Sequence, residues 1–410
     1  MKNLSALVPL LTAAAILLAG NGIQGTLIAL RAVEEGFRTT SVGLIGTAYF
    51  VGFITACIYA PRLVQAVGHI RVFSALAAVA AAGTLVLVLA PDPVVWLVVR
   101  FIMGFCFSGL FTVIESWLSQ RADDASRARL LAVYRIIDML VVTGSQFLIG
   151  ATGVSGFAIF AITAILFALS LVPVSLGDRS QPKPPESFRF DLPLIWRLSP
   201  LACSVCVTIG LTNGAFRLVG PLYARDIGLD LSGIAFFMAA GIFGGSVLQY
   251  PFGWASDRFD RRWAILVATA GATVAGLYLT VVDGDTPLRV YTGAFFFGAF
   301  AMPLYSLAVA HANDRASFDD YILVSAGLTF FYSIGASVGP AAASAIIERF
   351  GGPAFFTYTS VLHGSLIAVG LMRMISTPPS PASRRVRFVS LLRTSPSMVR
   401  LARRAARRRH

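Results

Sequence analysis

The sequence predicts an all-α integral membrane protein, with twelve transmembrane helices arranged as two parallel-repeat bundles of six. Three observations carry this reading. Of 410 residues, 56% are hydrophobic and only 13% charged, and mean hydropathy is +0.76, whereas soluble domains run near a quarter charged. The apolar residues form unbroken runs, and about 20 such residues cross a hydrocarbon core as a helix. The runs also fall into two sets of six around one polar stretch. A barrel is excluded, because its strands would alternate in character over about ten residues.

Breaks at charged or Pro/Gly-rich points place spans at 6–31, 41–66, 70–91, 94–118, 127–152 and 155–176. The second set lies at 198–224, 231–255, 262–282, 287–312, 319–348 and 353–375. The first run begins like a signal peptide, with Lys2 before apolar residues, but lacks a small-residue cleavage site and is read as a retained span. The domains are therefore a first bundle at 1–176, a cytoplasmic linker at 177–197, a second bundle at 198–375 and a basic tail at 376–410. The linker holds the proline, serine and mixed charge of a solvated connection.

The net charge of +13 is local: the tail holds ten arginines and no acid, leaving 13 − 10 = +3 for the rest. Such a distribution excludes a nucleic-acid face and suits an anionic inner leaflet, each cation being worth about 1 kcal/mol near the surface. Cys57, Cys106, Cys203 and Cys206 all lie in apolar runs, which argues against a disulfide framework. No phosphate-binding loop, metal-ligand spacing or hydrolytic triad is present. The reading is of a protein that is not an enzyme and carries no cofactor.

Short-loop cations set orientation. Even-numbered gaps hold Arg62, Arg71, Arg121, Arg127, Arg129, Arg179, Lys183, Arg189, Arg197, Arg258, Arg261, Arg262 and Arg315, while odd gaps hold Glu34, Glu35, Asp92, Asp226, Asp230, Asp283 and Asp285. Both termini are placed in the cytoplasm of a bacterial inner membrane. A shift of 192 positions superimposes Asn21-Gly22 on Asn213-Gly214, Gly36 on Gly228, and residues 61–71 on 253–263. Parallel six-helix repeats are a recurrent plan for secondary transporters, with substrate held between them.

The stretch PFGWASDRFDRR crowds five charges into six positions, Asp257 to Arg262. With Gly253 it resembles the GxxxDRxGRR loop motif of the major facilitator superfamily, except that Asp260 replaces the second glycine. The first copy keeps that glycine as Gly68 and has Gln65 in place of the acid. Arg100 in LVVRFIMGFCFSG resembles the superfamily's fourth-helix motif, although Met103 and Cys106 occupy positions often polar or small there. Narrower matches to the YcaD-like branch of bacterial transporters are NGIQGTL, VGHIR, IESWLS, AHANDR and GASVGP. Ala128 and Ser145 depart from that branch at glycine positions, and Arg135 and Asp138 are added charges. The resemblance implies the superfamily fold and alternating access. It also implies a gate of Asp257, Arg258, Arg261, Arg262 and Arg71, with Asp257 accepting hydrogen bonds from a helix start in the other half. The alternative for the cluster is a plain positive anchor.

Inside the spans, Asp138 is the preferred proton carrier, with Glu115 and His363 as further coupling candidates. Arg135 precedes Asp138 by one turn, so a static ion pair is the competing reading. Glu115 also suits a gate, and His363 an interhelical hydrogen bond. Asn21, Gln24, Arg100, Arg135, Asn213 and Arg217 are the substrate-binding candidates, the arginines pointing to an anionic group. Tyr49, Tyr134, Tyr305 and Tyr332 are candidate cavity aromatics, and Gly335, Gly339 and Pro340 a packing or bending element. The expected activity is proton-coupled uptake of a small organic solute by a monomeric symporter. Efflux of amphipathic compounds is the alternative, and a non-transporting sensor the alternative of another class.

Overall fold

The computed structural model describes residues 8–121, 127–176, 191–316, 320–378 and 388. Twelve helices are long and apolar enough to span a membrane. Spans 1 to 6 are Val8–Glu34, Thr39–Val67, His69–Leu89, Pro93–Leu118, Val133–Thr152 and Ala158–Leu176. Spans 7 to 12 are Pro200–Asp226, Leu231–Arg258, Arg261–Val281, Pro287–Asn313, Leu323–Phe350 and Ala354–Ser376. No strand occurs among the described residues.

The alternating helices give the molecule two ends. One, the basic end, carries Arg62, Arg71, Arg258, Arg262 and Arg315, and the other carries Glu34, Glu35, Asp92, Asp226, Asp230, Asp283 and Asp285. Several of those acids close helices. Asp92 accepts from the backbone N–H groups of Val94 and Val95, Asp230 from that of Gly233, and Asp226 from that of Gly352. A carboxylate at a helix start satisfies donors that have no partner within the helix.

The repeat detected in the sequence has a structural counterpart. Gly36 and Gly228 both take positive φ, 77° and 93°. In both turns the glycine N–H bonds three residues back and the next N–H five residues back, to Val33 and Ala32 and to Arg225 and Ala224. Glycine carries the left-handed conformation without steric cost. Gly68 ends span 2 at a positive φ of 88° with its N–H on the Val64 carbonyl four residues back, but its counterpart Asp260 has φ −60° and caps span 9 through its side chain.

Prolines place most of the breaks within spans. Span 6 breaks at Ser170, span 8 at Leu248 and span 10 between Ala301 and Leu304. Pro173 and Pro251 lie four residues after Leu169 and Val247, the last residues before two of these breaks. A proline ring clashes with the carbonyl four residues earlier and has no N–H to offer it. Span 5 breaks instead at Gln146. There the side chain leaves its own helix, donating to the Gly22 carbonyl at 2.7 Å and accepting from Thr26 at 2.8 Å.

Each half packs around its own core. Gly52 meets the backbone of Phe101 between spans 2 and 4, and Gly244 meets that of Phe295 between spans 8 and 10; a Cβ at either would collide. Small residues permit the close contact that drives helix association where lipid removes the hydrophobic driving force. Phe216, Phe237, Phe297, Phe356 and Tyr223 fill the second half. The expected solvated linker is helical over Leu192–Leu198 and docked there, because Ile195 is buried and Trp196 lies against Phe331. Residues 177–190 lie outside the described residues.

Candidate functional site

At the acidic end the halves are closed on one another. Thr47 of span 2 donates to the Ser337 carbonyl of span 11 at 2.6 Å, and the Thr40 N–H donates to Glu348 at 2.7 Å. Between them, Gly43 packs on Ser344 and Pro340, and Gly46 on Pro340 and Leu218. Phe147 of span 5 meets Phe236 of span 8 edge-on at 4.9 Å. Gly335 and Gly339 let span 11 lie against the Val207 and Leu211 carbonyls of span 7, so Pro340 faces the other half from a helix held rigidly within its own.

Toward the basic end spans 5 and 8 part. A crevice of about 420 Å³ opens between spans 5 and 8, lined by Arg135, Met139, Gln249, Tyr250 and Asp257. Among the described residues, a polar bridge crosses it. Arg135 pairs with Asp138 at 3.0 Å and donates to Gln249 at 3.0 Å, and Gln249 donates to Ser306 of span 10 at 2.9 Å. Asp138 retains 21% side-chain exposure, and its partner Arg135 lines the crevice.

A second polar cluster lies where spans 1, 2, 4 and 7 converge. Arg100 is 4% exposed, donates to Gln24 at 3.0 Å and lies 4.3 Å above the Tyr49 ring. Gln24 in turn donates to Thr84 at 3.2 Å. Tyr49 is also within electrostatic reach of Arg217 and Tyr332 of the second half. Arg217 is exposed, although Gly25 of span 1 touches its backbone. Arg100 stacks on Tyr49 and Arg217 of the other half lies within electrostatic reach of the same ring, and a guanidinium can bind a carboxylate or phosphate in bidentate fashion.

Several expected members lie elsewhere. Asn213 is buried and donates to the Ala301 carbonyl at 3.3 Å, at the break in span 10. His363 is buried inside the second half, bonded to the Thr359 carbonyl and edge-on to Phe297. Glu115 is fully buried, within electrostatic reach of Cys57 and Tyr134. Asn21 is half-buried on span 1, and Tyr305 bonds Thr329 at 2.7 Å. Gln249, Gln146 and Thr84 were missed as site residues. A glutamine inside an apolar run is as costly as a cation is conspicuous, and that was the available signal.

The residues of the expected latch form a network around Arg261. Among the described residues, Asp257 accepts from Arg261 at 3.2 Å and from the Phe388 N–H of the tail at 2.8 Å, not from a helix start in the first half. Residues 122–126, which lead into span 5 of the first half, lie outside the described residues. Phe388 packs its ring on Gly253. Arg261, 2% exposed, pairs with buried Asp314 at 2.6 Å, and Arg262 pairs with Asp260 at 2.6 Å. Burial alone would raise the Asp260 pKa, but hydrogen bonds and charge from Arg262 hold it below the usual carboxylate range. Arg258 is exposed and stacks on Trp254, and Arg71 is exposed. The rest of the basic tail lies outside the described residues.

The model of the Major Facilitator Superfamily matches residues 10–245 and 201–409. An uncharacterized MFS-type transporter of Yersinia pestis (strain Pestoides F) is 25% identical over 358 residues, covering 87% of this chain and 91% of that one. The MFS-type transporter YcaD of Escherichia fergusonii is 25% identical over 336 residues, covering 80% and 85%. Among solved structures, the nucleoside transporter NupG superimposes with a TM-score of 0.74 at 13% identity, covering 91% of this chain and all of that one. A bacterial homolog of the human lysosomal transporter Spinster, inward-facing and unoccupied, gives 0.70 at 13%, covering 99% and 98%.

Proposed function

The chain belongs to the major facilitator superfamily, and from that premise we propose that this secondary transporter takes up a small organic anion together with protons across a bacterial inner membrane. The observation that carries the substrate class is the pair of arginines, Arg100 and Arg217, set about Tyr49 from the two halves. In this reading the basic end faces the cytoplasm, as the arginine bias of the loops supports. The conformation described is then inward-open, with the acidic end sealed by spans 2 and 11.

Substrate entering from outside bridges Arg100 and Arg217, which draws the halves together around it. Arg100 is held by Gln24 and Tyr49, so it presents a fixed donor fork rather than a mobile charge. Asp138 takes the proton. Protonation cancels its attraction for Arg135, and Arg135 then rests on Gln249 of the other half. The bridge between spans 5 and 8 therefore depends on the protonation state of one carboxylate. Asp257 serves as the gate acid, holding the tail when the basic end is open and a helix start of the first half when it is closed.

The test is uptake into proteoliposomes under an imposed inward pH gradient, screened over small carboxylates, sulfonates and phosphates. An accumulated anion in wild type and equilibration without accumulation in Asp138→Asn are expected. Accumulation by Asp138→Asn contradicts the carrier role. Transport of neutral or cationic amphipathic compounds outward contradicts anion uptake.

A further inference from the structure

A second, smaller cavity lies at the basic end, entirely within the second half and away from the crevice. Its volume is about 100 Å³, and Arg197, Ser199, Arg262, His311, Arg315 and Arg373 line it. These side chains come from five places: the linker helix, the start of span 7, the start of span 9, and the ends of spans 10 and 12. That a single hollow collects four arginines requires explanation, since like charges repel.

Neutralisation by neighbouring acids does not supply one. Asp260 is engaged with Arg262, and Asp314 with Arg261. Among the described residues, Arg197, Arg315 and Arg373 form no ion pair. Arg315 gives one long hydrogen bond of 3.4 Å to the Pro378 carbonyl, and its Nε is buried without a hydrogen-bond partner. Burial lowers the Arg315 pKa, and the charges of Arg262 and Arg373 press it the same way while Asp260 and Asp314 oppose them without reversing the shift. Span 7 adds its positive end: Ser199 caps Ala202, and Pro200 opens the helix at the cavity wall. A buried donor left unmade costs about 1–3 kcal/mol. An anion in the hollow satisfies it, and the same anion offsets the repulsion.

We propose that this cavity is a binding site for a phosphate group, held by Arg197, Arg315 and Arg373 against Arg262 and the start of span 7. Its size suits one such headgroup and not a whole solute. The phosphate arrives either on an anionic lipid of the adjoining leaflet or on a soluble compound. Once bound, it ties the linker helix to the ends of spans 10 and 12, which fixes the connection between the halves to the second of them.

Thermal unfolding of the full chain separates these cases. One arm adds inorganic phosphate in detergent, with chloride at matched ionic strength as control; the other places the protein in phosphatidylcholine nanodiscs with and without phosphatidic acid. An upward shift of several degrees is expected in at least one arm, reduced by half or more in Arg315→Gln/Arg373→Gln. A shift in the first arm assigns a soluble phosphate, and one in the second alone assigns a lipid headgroup. Should the double variant not fold, Arg197→Gln replaces it, since Arg197 is exposed on the linker helix. No shift in either arm, or an equal shift in a folded variant, overturns the proposal.

Discussion

The two halves share a plan and divide the charges differently. In the first half, Arg100, Glu115, Arg135 and Asp138 all lie within the spans, Arg100 among Gln24, Thr84 and Tyr49 and Arg135 paired with Asp138. In the second, the buried charges Arg261, Arg262 and Asp314 sit at the basic end, and the interior is aromatic. The loop motif shows the same divergence. Its first copy has Gln65 for the acid and an exposed Arg71; its second copy carries a network of Asp257, Arg261 and Asp314. A duplicated fold thus supports unequal roles: polar chemistry at membrane depth in one half, and a charged anchor at one end of the other.

The largest test of that division is Asp314→Asn. It removes the shortest of Arg261's ion pairs in a buried setting, and breaking a buried pair costs about 3–5 kcal/mol. Thermal unfolding in detergent should show a marked loss of stability; a loss of transport at unchanged stability would break the comparison. Arg100→Met should do the reverse. Hydrogen bonds to charged groups are worth roughly 1.5–3 kcal/mol, so uptake of the anion should fall about ten- to a hundredfold, while the unfolding temperature moves little. Equal losses in both variants would erase the distinction.

The expected effect of Thr47→Val is smaller. The variant loses the bond to the Ser337 carbonyl, worth about 0.5–1.5 kcal/mol, and should raise the population open at the acidic end, read as faster labelling of a cysteine at Ser344. The smallest effect concerns Asp260, whose folded pKa is depressed. Its contribution is fully present above the unfolded carboxylate value of about 3.9, and is lost as pH falls through the lower folded value. The unfolding temperature of wild type should therefore drop more steeply on acidification below about pH 4 than that of Asp260→Asn. Parallel curves would remove Asp260 from the anchor.

The fold was legible because the bilayer imposes length and apolarity, which are written in the sequence directly. The breaks were not legible in the sequence: Pro173 and Pro251 lie beside two of them, yet Pro61, Pro221 and Pro340 sit inside continuous helices. The break at Gln146 carried no such mark; it depends on Gly22 and Thr26, over a hundred residues away in sequence. The site was partly legible for the same reason. Arg100, Gln24, Arg135 and Asp138 are conspicuous in apolar runs, and the structure groups them as two clusters. Their partners Gln249 and Thr84 come from distant spans, and Asn213, polar by composition, proved to satisfy a carbonyl at a helix break. Sequence shows which groups need a partner. It does not show which one they find.

The central claim is that the halves exchange closure at one end for closure at the other. With the native cysteines replaced, spin labels at Arg38 and Phe350 report the acidic end, and labels at Ile136 and Tyr250 the basic end; Phe350, Ile136 and Tyr250 are exposed, as is Arg38. Pulsed distance measurements in nanodiscs across a pH series, in wild type and Asp257→Asn, should show the first distance lengthening in the populations where the second shortens. Distances that change together, or that stay fixed at both ends under every condition, would contradict it.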